Sequence, residues 1–414
     1  MMNGRLSLGV GGLLGALLLL GANLAQAQVT LLHEFVGGSS DGAGPYYTTP
    51  TVDGSKLYGM TYDGGDLDAG TVFAMNTDGT GYGLLHEFSF DGSDGHGPRG
   101  SLTLSGSNLY GMTRYGGDSN EGTVFKMNTD GTGFGLLHMF AFGGSAGSYP
   151  EGSLTLSGST LYGMTAAGGT ANRGTVFKMN TDGTGFGLLH EFAGEGSDGR
   201  SPYGDLTLDG STLYGMTYQG GDLDRGTVFK MNTDGSGFSL LHEFAGGVSD
   251  GNNPYGSLTL SGSTLYGMTQ YGGGSGLGTV FAMNTDGTGF GLLHEFAGGV
   301  SDGLLPYGSL TLNGSTLYGM TAAGGGSGYG KGSVFAMNTD GTGFGLLHEF
   351  AGAVSDGSYP EGSLTLSGSK LYGMTLSGGA SDKGTVFSYA IIPEPSTFAL
   401  IAMGALALLR RRRE

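Results

Sequence analysis

Apolar and polar positions in this chain alternate in short runs separated by glycine-rich breaks, and one stretch shows how the runs become structure. Ser257 to Leu260 and Thr264 to Thr269 read as two strands joined by the turn Ser261-Gly262-Ser263. A loop from Gln270 to Gly278 leads into a third strand, Thr279 to Asn284, and Thr285-Asp286-Gly287-Thr288-Gly289 turns the chain back into a fourth, Phe290 to Phe296. Asp-Gly suits that turn because it tolerates the positive φ of tight hairpins. Both faces of these strands carry apolar residues, as in sheets covered on each side by another sheet.

The whole unit repeats. Leu-Tyr-Gly-Met begins at Leu57, Leu109, Leu161, Leu213, Leu265, Leu317 and Leu371, at a spacing of 52 residues except for the last, which is 54. Leu-Leu-His places histidines at 33, 86, 138, 190, 242, 294 and 348, and Gly-Thr-Val-Phe or Gly-Ser-Val-Phe ends at Phe73, Phe125, Phe177, Phe229, Phe281, Phe335 and Phe387. Four short strands per unit at such a period point to a propeller. The repeat begins with a lone fourth strand, Val29 to Phe35, and ends with only the first three, Ser363 to Ala390. In a closed ring those ends pair and remove two exposed sheet edges, whereas an open solenoid gains nothing from the split. The expected fold is therefore all-β, a seven-bladed β-propeller over residues 28–390.

The unit resembles the kelch repeat in its glycine pair after strand two and the polar turn after strand three. The following aromatic is Tyr82, Phe134, Phe186, Phe238, Phe290 or Phe344, where kelch repeats have Trp, and the glycine pair, as in Gly272-Gly273, comes two residues late. The unit is more similar to the bacterial GloVer tandem repeat, whose Leu-Tyr-Gly-Met-Thr, Gly-Gly, Gly-Thr-Val-Phe and Leu-Leu-His elements stand here in nearly the same form. That resemblance implies the same architecture and no established activity.

Composition agrees with strands and turns. Glycine fills 91 of 414 positions, which disfavours helices, and there is no collagen-like three-residue period. A formal charge of −18 excludes nucleic-acid binding through clustered Lys and Arg. The absence of cysteine excludes disulfides, thiolate nucleophiles and Cys-type zinc sites.

The two ends read as addresses. Arg5, the apolar run from Leu6 to Leu20 and the small residues Ala25 and Ala27 predict a signal peptide over residues 1–27, cut by signal peptidase. At the other end, residues 391–414 carry Pro393, Glu394 and Pro395, an apolar stretch from Thr397 to Leu409, and Arg410, Arg411, Arg412 and Arg413. Thirteen residues of helix span about 20 Å against a hydrocarbon core of roughly 30 Å, so this transmembrane helix is expected to insert transiently. The segment resembles the PEP-CTERM sorting signal. That implies an exosortase-type processing enzyme and display on the surface or in the matrix of an exopolysaccharide-producing Gram-negative bacterium, with membrane contact only through this segment.

The candidate chemistry divides into repeated and variable residues. The repeated histidines sit on the outermost strands, too far apart to share a metal ion, and are expected to be structural. The Asn-Thr-Asp-Gly turns, with Asp78, Asp130, Asp182, Asp234, Asp286 and Asp340, lack the distal acid of a calcium loop. The Ser-Asp-Gly loops read as Asx turns. No cofactor is expected, with calcium at the repeated aspartates as the one open alternative. Differences between units concentrate in the loops between strands two and three and in those leading into the next blade, which emerge on one face of the disc. That face holds the candidate ligand-binding residues Tyr62, Asp66, Asp68, Arg114, Tyr115, Asp118, Arg173, Tyr218, Asp222, Asp224, Tyr271 and Lys331. The loops into the next blade add Tyr46, Arg99, Glu151, Tyr203, Tyr255, Tyr307 and Glu361, and His96 is the one histidine outside the repeated motif. Tyrosines beside carboxylates suit sugar rings and their hydroxyls. The expectation is a monomeric, non-catalytic surface protein that binds exopolysaccharide or serves as a scaffold, with no catalytic residues; the alternative is a polysaccharide-acting hydrolase or lyase on the same face.

Overall fold

The computed structural model describes residues 29–391 apart from 93, 142–145, 195, 197, 327–329, 353 and 355. The signal residues Ala25 and Ala27 and the sorting residues from Pro393 to Arg413 lie outside the described residues.

Each unit folds as a four-stranded antiparallel sheet. In the fifth blade Thr259–Ser261, Thr264–Thr269, Thr279–Asn284 and Gly291–Glu295 pair in that order. The first strand begins two residues later than its pattern suggests, because Ser257 N–H is already bonded to Ser309 Oγ of the next blade at 2.8 Å. The fourth begins one residue late because Phe290 turns its ring onto His242 of the preceding blade, 3.7 Å between centroids. In the hairpin turns only glycines have positive φ, as at Gly287 with 94° and Gly289 with 67°.

The seventh blade is assembled from both ends of the described chain. Val29–Glu34 pairs with Thr385–Ala390, which pairs with Lys370–Thr375 and then Thr365–Ser367. Its register slips one residue between Leu31 and His33, the same irregularity that separates Val280 from Phe281 in the fifth blade. The joint therefore has the geometry of the continuous blades, and the ring is closed.

Two hydrogen-bond rings close around the axis. The backbone N–H groups of Thr49, Ser101, Ser153, Asp205, Ser257 and Ser309 each donate to the side-chain oxygen of the next residue in that series, and Ser309 hands on to Ser363. Ser363 N–H completes the circle on Thr49 Oγ1 at 2.9 Å. Just below, the hydroxyls of Thr51, Thr103, Thr155, Thr207, Thr259, Thr311 and Thr365 donate to the neighbouring blade's carbonyl at 2.5–2.6 Å.

The apolar core lies in the wedges between blades. Leu265, Phe281 and Met283 pack with Tyr214, Met216 and Val228 of the blade before, while Tyr266, Met268 and Val280 pack with Leu317, Phe335 and Met337 of the blade after. Strict alternation along each strand thus feeds two wedges, which is why both faces are apolar. The closing wedge joins Phe35, Tyr372 and Met374 to Leu57 and Phe73. No helix among the described residues is long and apolar enough to cross a membrane, which corrects the expectation of a transmembrane helix. The apolar residues described here are taken up by strands in these wedges, and Thr397 to Leu409 lie outside the described residues.

Gly267 interrupts strand two because it stands opposite Phe281, whose ring folds over it. A Cβ there would lie 2.4 Å from Phe281 Cζ and 3.2 Å from Leu258 Cδ2. Gly267→Ala is expected to cost about 1–3 kcal/mol by overpacking. Gly291→Ala, where a Cβ meets nothing within 4 Å, should stay within about 0.5 kcal/mol. Equal melting temperatures for the two variants in thermal denaturation would refute this account of the glycine.

Candidate functional site

The repeated polar residues are bound to one another. His33 and Asp41, His86 and Asp94, His190 and Asp198, His242 and Asp250, His294 and Asp302, and His348 and Asp356 pair through Nε2 at 2.9–3.2 Å. The same carboxylates accept backbone N–H bonds in their own loops, as Asp41 does from Val36 and Gly42. Six of the histidines also stack on the next blade's aromatic at 3.7–3.8 Å. The glutamates that follow accept N–H bonds from the loop between strands two and three, as Glu87 does from Asp66 and Glu243 from Asp222. The hairpin aspartates hold their own turns: Asp286 Oδ1 accepts from Thr288 N–H at 2.9 Å and from its hydroxyl at 2.7 Å. His138 is the exception; Ala146 stands where its partner would be, its Nε2 has no hydrogen-bond partner among the described residues, and burial lowers its pKa.

The variable face is built on a constant frame. In each unit the loop into the blade and the loop after strand two meet in a short antiparallel bridge, and the bridging side chains differ every time. The pairs are Ala43 with Asp63, His96 with Tyr115, Ser148 with Ala167, Arg200 with Gln219, Asn252 with Tyr271, Leu304 with Ala323 and Ser358 with Ser377. Because backbone atoms make the bridge, the side chain is left free to vary. In the second blade the bridge lengthens: Gly95–Pro98 pairs with the end of the nine-residue strand Asn108–Gly116.

A cavity of about 240 Å³ opens there, between the first two blades, lined by Tyr62, Asp63, Asp68, Phe90, His96 and Tyr115. His96 lies 5.5 Å from the Tyr115 ring in stacked orientation and 4.6 Å from Phe90, which is 58% exposed. Its Nδ1 is buried with no hydrogen-bond partner among the described residues, and burial lowers its pKa against the pull of Asp94. Asp63 is shifted the opposite way, raised by burial and by the Asp68 charge, with Lys383 opposing. The cavity therefore holds a neutral imidazole and a carboxyl that retains its proton to higher pH than usual.

A second group fills the axis of the same face. Tyr47 stacks on Tyr255 at 4.5 Å, Tyr255 on Tyr203 at 4.8 Å, and Tyr307 meets Tyr255 at 5.4 Å. Beneath them lies a cavity of about 40 Å³ lined by the axial serines and glycines with Glu151, Asp205 and Glu361. Glu151 is paired with both Arg99 and Arg114, the latter at 3.1 Å. Burial raises its pKa and both guanidiniums oppose the rise. Asp205, also raised by burial, accepts N–H from Ser153. Glu361 has a buried Oε2 without a partner among the described residues, and burial pushes its carboxyl up to about 7 against the Arg99 charge.

Of the residues proposed from sequence, Tyr62, Asp68 and Tyr115 line the larger cavity, Arg114 adjoins it, and Tyr218 joins the axial tyrosines through Gln270. The rest do not converge. Asp66 and Asp222 lend backbone N–H groups to glutamates, Asp118 is exposed on its loop, and Arg173 lies beside Gly194. Asp224 is bound to Arg200 and caps Gly220 N–H, Tyr271 stands 37% exposed, and Lys331 donates to the Tyr359 hydroxyl at 3.0 Å. Tyr46 covers Arg99 at 4.4 Å, and an extra residue in that loop makes Tyr47 the axial tyrosine instead. Asp205 and Phe90 were missed; Asp205 is the one acid in an axial series otherwise Ser or Thr, a signal visible by superposing the units.

The Gloeobacter/Verrucomicrobia repeat matches residues 19–224 and 138–331. The chain belongs to this repeat family. A PEP-CTERM protein-sorting motif matches residues 392–413 of this Gloeobacter/Verrucomicrobia repeat protein, and implies export, a surface-associated location and processing by an exosortase-type system. No curated protein matches it. Among solved structures, an oligogalacturonate lyase from Vibrio parahaemolyticus is similar at 15% identity, covering 90% of this chain and 95% of that one, with a TM-score of 0.57. A second oligogalacturonate lyase, in complex with manganese, is similar at 13% identity over 89% and 94%, TM-score 0.54. A puromycin-hydrolyzing peptidase of Mycobacterium tuberculosis is similar at 13% over 87% and 55%, TM-score 0.51. At these identities the likeness concerns the fold.

These neighbours overturn the expectation of a non-catalytic protein, both as a function and as a statement that the chain is no enzyme. The same disc, matched over nearly its full length, is an enzyme scaffold in the two lyases. Most polar residues recur in every unit, but His96 and Arg114 do not, which leaves room for a site in one sector. Among the described residues no group of three His, Asp or Glu side chains comes together to hold a metal ion, so the donor set does not fit the manganese of that neighbour.

The Glu361 carboxyl carries a stability signature. An acid whose folded pKa lies above its unfolded value stabilises the fold fully below the unfolded value, 4.5, and loses that contribution as pH rises through about 7. Glu361→Gln is expected to gain melting temperature on the natural chain as pH is raised from about 5 to about 8. A constant difference across that window would refute a raised pKa.

Proposed function

We propose that the protein is a polysaccharide-acting enzyme, a lyase or hydrolase, working in the cavity between its first two blades. The observation that carries this reading is the joint presence there of aromatic walls and an oppositely shifted imidazole and carboxyl. Tyr62, Tyr115 and exposed Phe90 offer faces to a sugar ring, and about 240 Å³ accommodates one ring of a chain rather than a drug-sized ligand. Burial favours the neutral imidazole of His96, the form that accepts a proton, and the protonated carboxyl of Asp63, the form that donates one.

In a lyase His96 takes the proton from the carbon beside a sugar carboxyl, the C–O bond to the leaving sugar breaks as the C=C bond forms, and Asp63 protonates the departing oxygen. In a hydrolase the same base takes a proton from the water that attacks the anomeric carbon, the C–O bond to the leaving sugar breaks, and Asp63 protonates the departing oxygen. Two neighbours with this disc are lyases of oligogalacturonate, so the scaffold accommodates such chemistry. Release by signal peptidase after Ala27 and exosortase processing at Pro393-Glu394-Pro395 would present a monomeric disc to the exopolysaccharide of a Gram-negative bacterium.

The experiment is chain shortening on a panel of acidic and neutral polysaccharides, followed by product size and by absorbance of unsaturated ends. His96→Gln is expected to lower the rate by about 100-fold or more. The acid limb of the natural rate should fall at a lower pH than an ordinary histidine would give, since burial lowers the His96 pKa. No shortening of any polymer, or an unchanged rate in the variant, would sink the reading.

A further inference from the structure

Beside the cavity two guanidiniums share one carboxylate. Arg99 Nη1 and Arg114 Nε both reach Glu151, and neither arginine forms an ion pair with a second acid among the described residues. Glu121, another buried acid, is engaged by the Tyr149 hydroxyl. Glu361 acts on this group only through the Arg99 charge. Two guanidiniums thus share one paired carboxylate, in a chain whose formal charge is −18 and beside a cavity wall that carries Asp63 and Asp68.

The two arginines are not equivalent. The Arg99 and Glu151 side chains are 10% and 2% exposed, whereas Arg114 is 27% exposed. Arg114 precedes Tyr115 on the strand that forms the cavity wall, its Cζ lies 5.1 Å from the Tyr115 ring, and its charge is felt at Tyr62 on the opposite wall. Its approach to Glu151 is through Nε, which has no hydrogen-bond partner among the described residues, so charge rather than a hydrogen bond holds this fork. Its counterparts in the other units are Tyr62, Ala166, Tyr218, Gln270, Ala322 and Leu376, so no other unit places a cation here.

We propose that Arg114 recognises a carboxylate on the sugar held in this cavity, so that the substrate is an acidic, uronate-containing polysaccharide. The inference rests on the assignment of the cavity as the sugar site. A guanidinium fork matches a carboxylate in two parallel hydrogen bonds, and partial burial keeps solvent from screening the pair. The same contact serves elimination, because negative charge moves toward the sugar carboxylate as the neighbouring carbon gives up its proton to His96.

The test measures binding by the full exported chain to polygalacturonate and to the same polymer after its carboxyls are reduced to alcohols. The natural protein should prefer the acidic polymer, and Arg114→Gln should lower the acidic-to-neutral affinity ratio about tenfold, with Arg114→Lys in between. Glu151→Gln, which frees both guanidiniums, should raise that ratio and so guards against a loss caused by unfolding. Equal affinities in the natural protein, a ratio unchanged by Arg114→Gln, or a ratio lowered by Glu151→Gln would each overturn the inference. Binding without chain shortening would leave it standing and sink the enzymatic reading. Shortening of both polymers at equal rates would do the reverse.

Discussion

The pairing of Val29–Glu34 with Thr385–Ala390 is the contact on which the other contacts of the disc depend. Each blade packs only on its two neighbours, so an unclosed ring would leave a wedge open and two sheet edges bare. Closure seals Phe35, Tyr372 and Met374 against Leu57 and Phe73. It also lets Ser363 N–H reach Thr49 Oγ1, which turns a row of hydrogen bonds into a ring. The axial cavity and its tyrosines exist only because that ring is complete.

A second consequence concerns where the chain is free to change. Around the disc the polar bonds between loops are made by backbone atoms, as when Tyr149 N–H donates to Glu121 carbonyl and Ser201 N–H to Arg173 carbonyl. The corresponding bond across the closing wedge runs from Gly44 N–H to Lys383 carbonyl. These backbone bonds form whatever the side chain, so the same frame carries alanine in one unit and histidine or arginine in another. Variation on this face therefore follows from how the frame is bonded, and chemistry can be confined to one sector.

Electrostatics sharpen that sector. The repeated aspartates and glutamates are occupied by histidines and backbone N–H groups, so most of the acidic composition is structural. What remains is a local imbalance at Arg99, Arg114 and Glu151 beside a neutral His96. The axis itself is tightly filled, by tyrosines above and by a Ser and Gly ring below, leaving only about 40 Å³. Room for a ligand exists to one side, where the second blade's longer strand and the exposed Phe90 widen the gap between blades.

The repeat spacing, the split unit at the ends and the two-sided apolar pattern by themselves determined the number of blades, their strand order and the way the ring closes, because these are consequences of local periodicity. That a glycine stands inside strand two is plain in the sequence; that the Phe281 ring requires it is not. The histidines could be read as structural; their pairing with the loop aspartates eight residues on could not, since it depends on how the loop folds back. For the site, sequence indicated one face but spread the candidates around the whole rim. Only the tertiary structure separated Tyr62, Tyr115 and His96, which converge across two blades, from Asp66, Asp118 and Asp222, which do not. The reason is that convergence depends on the angle and spacing between adjacent blades, a property of packed wedges that no single unit encodes.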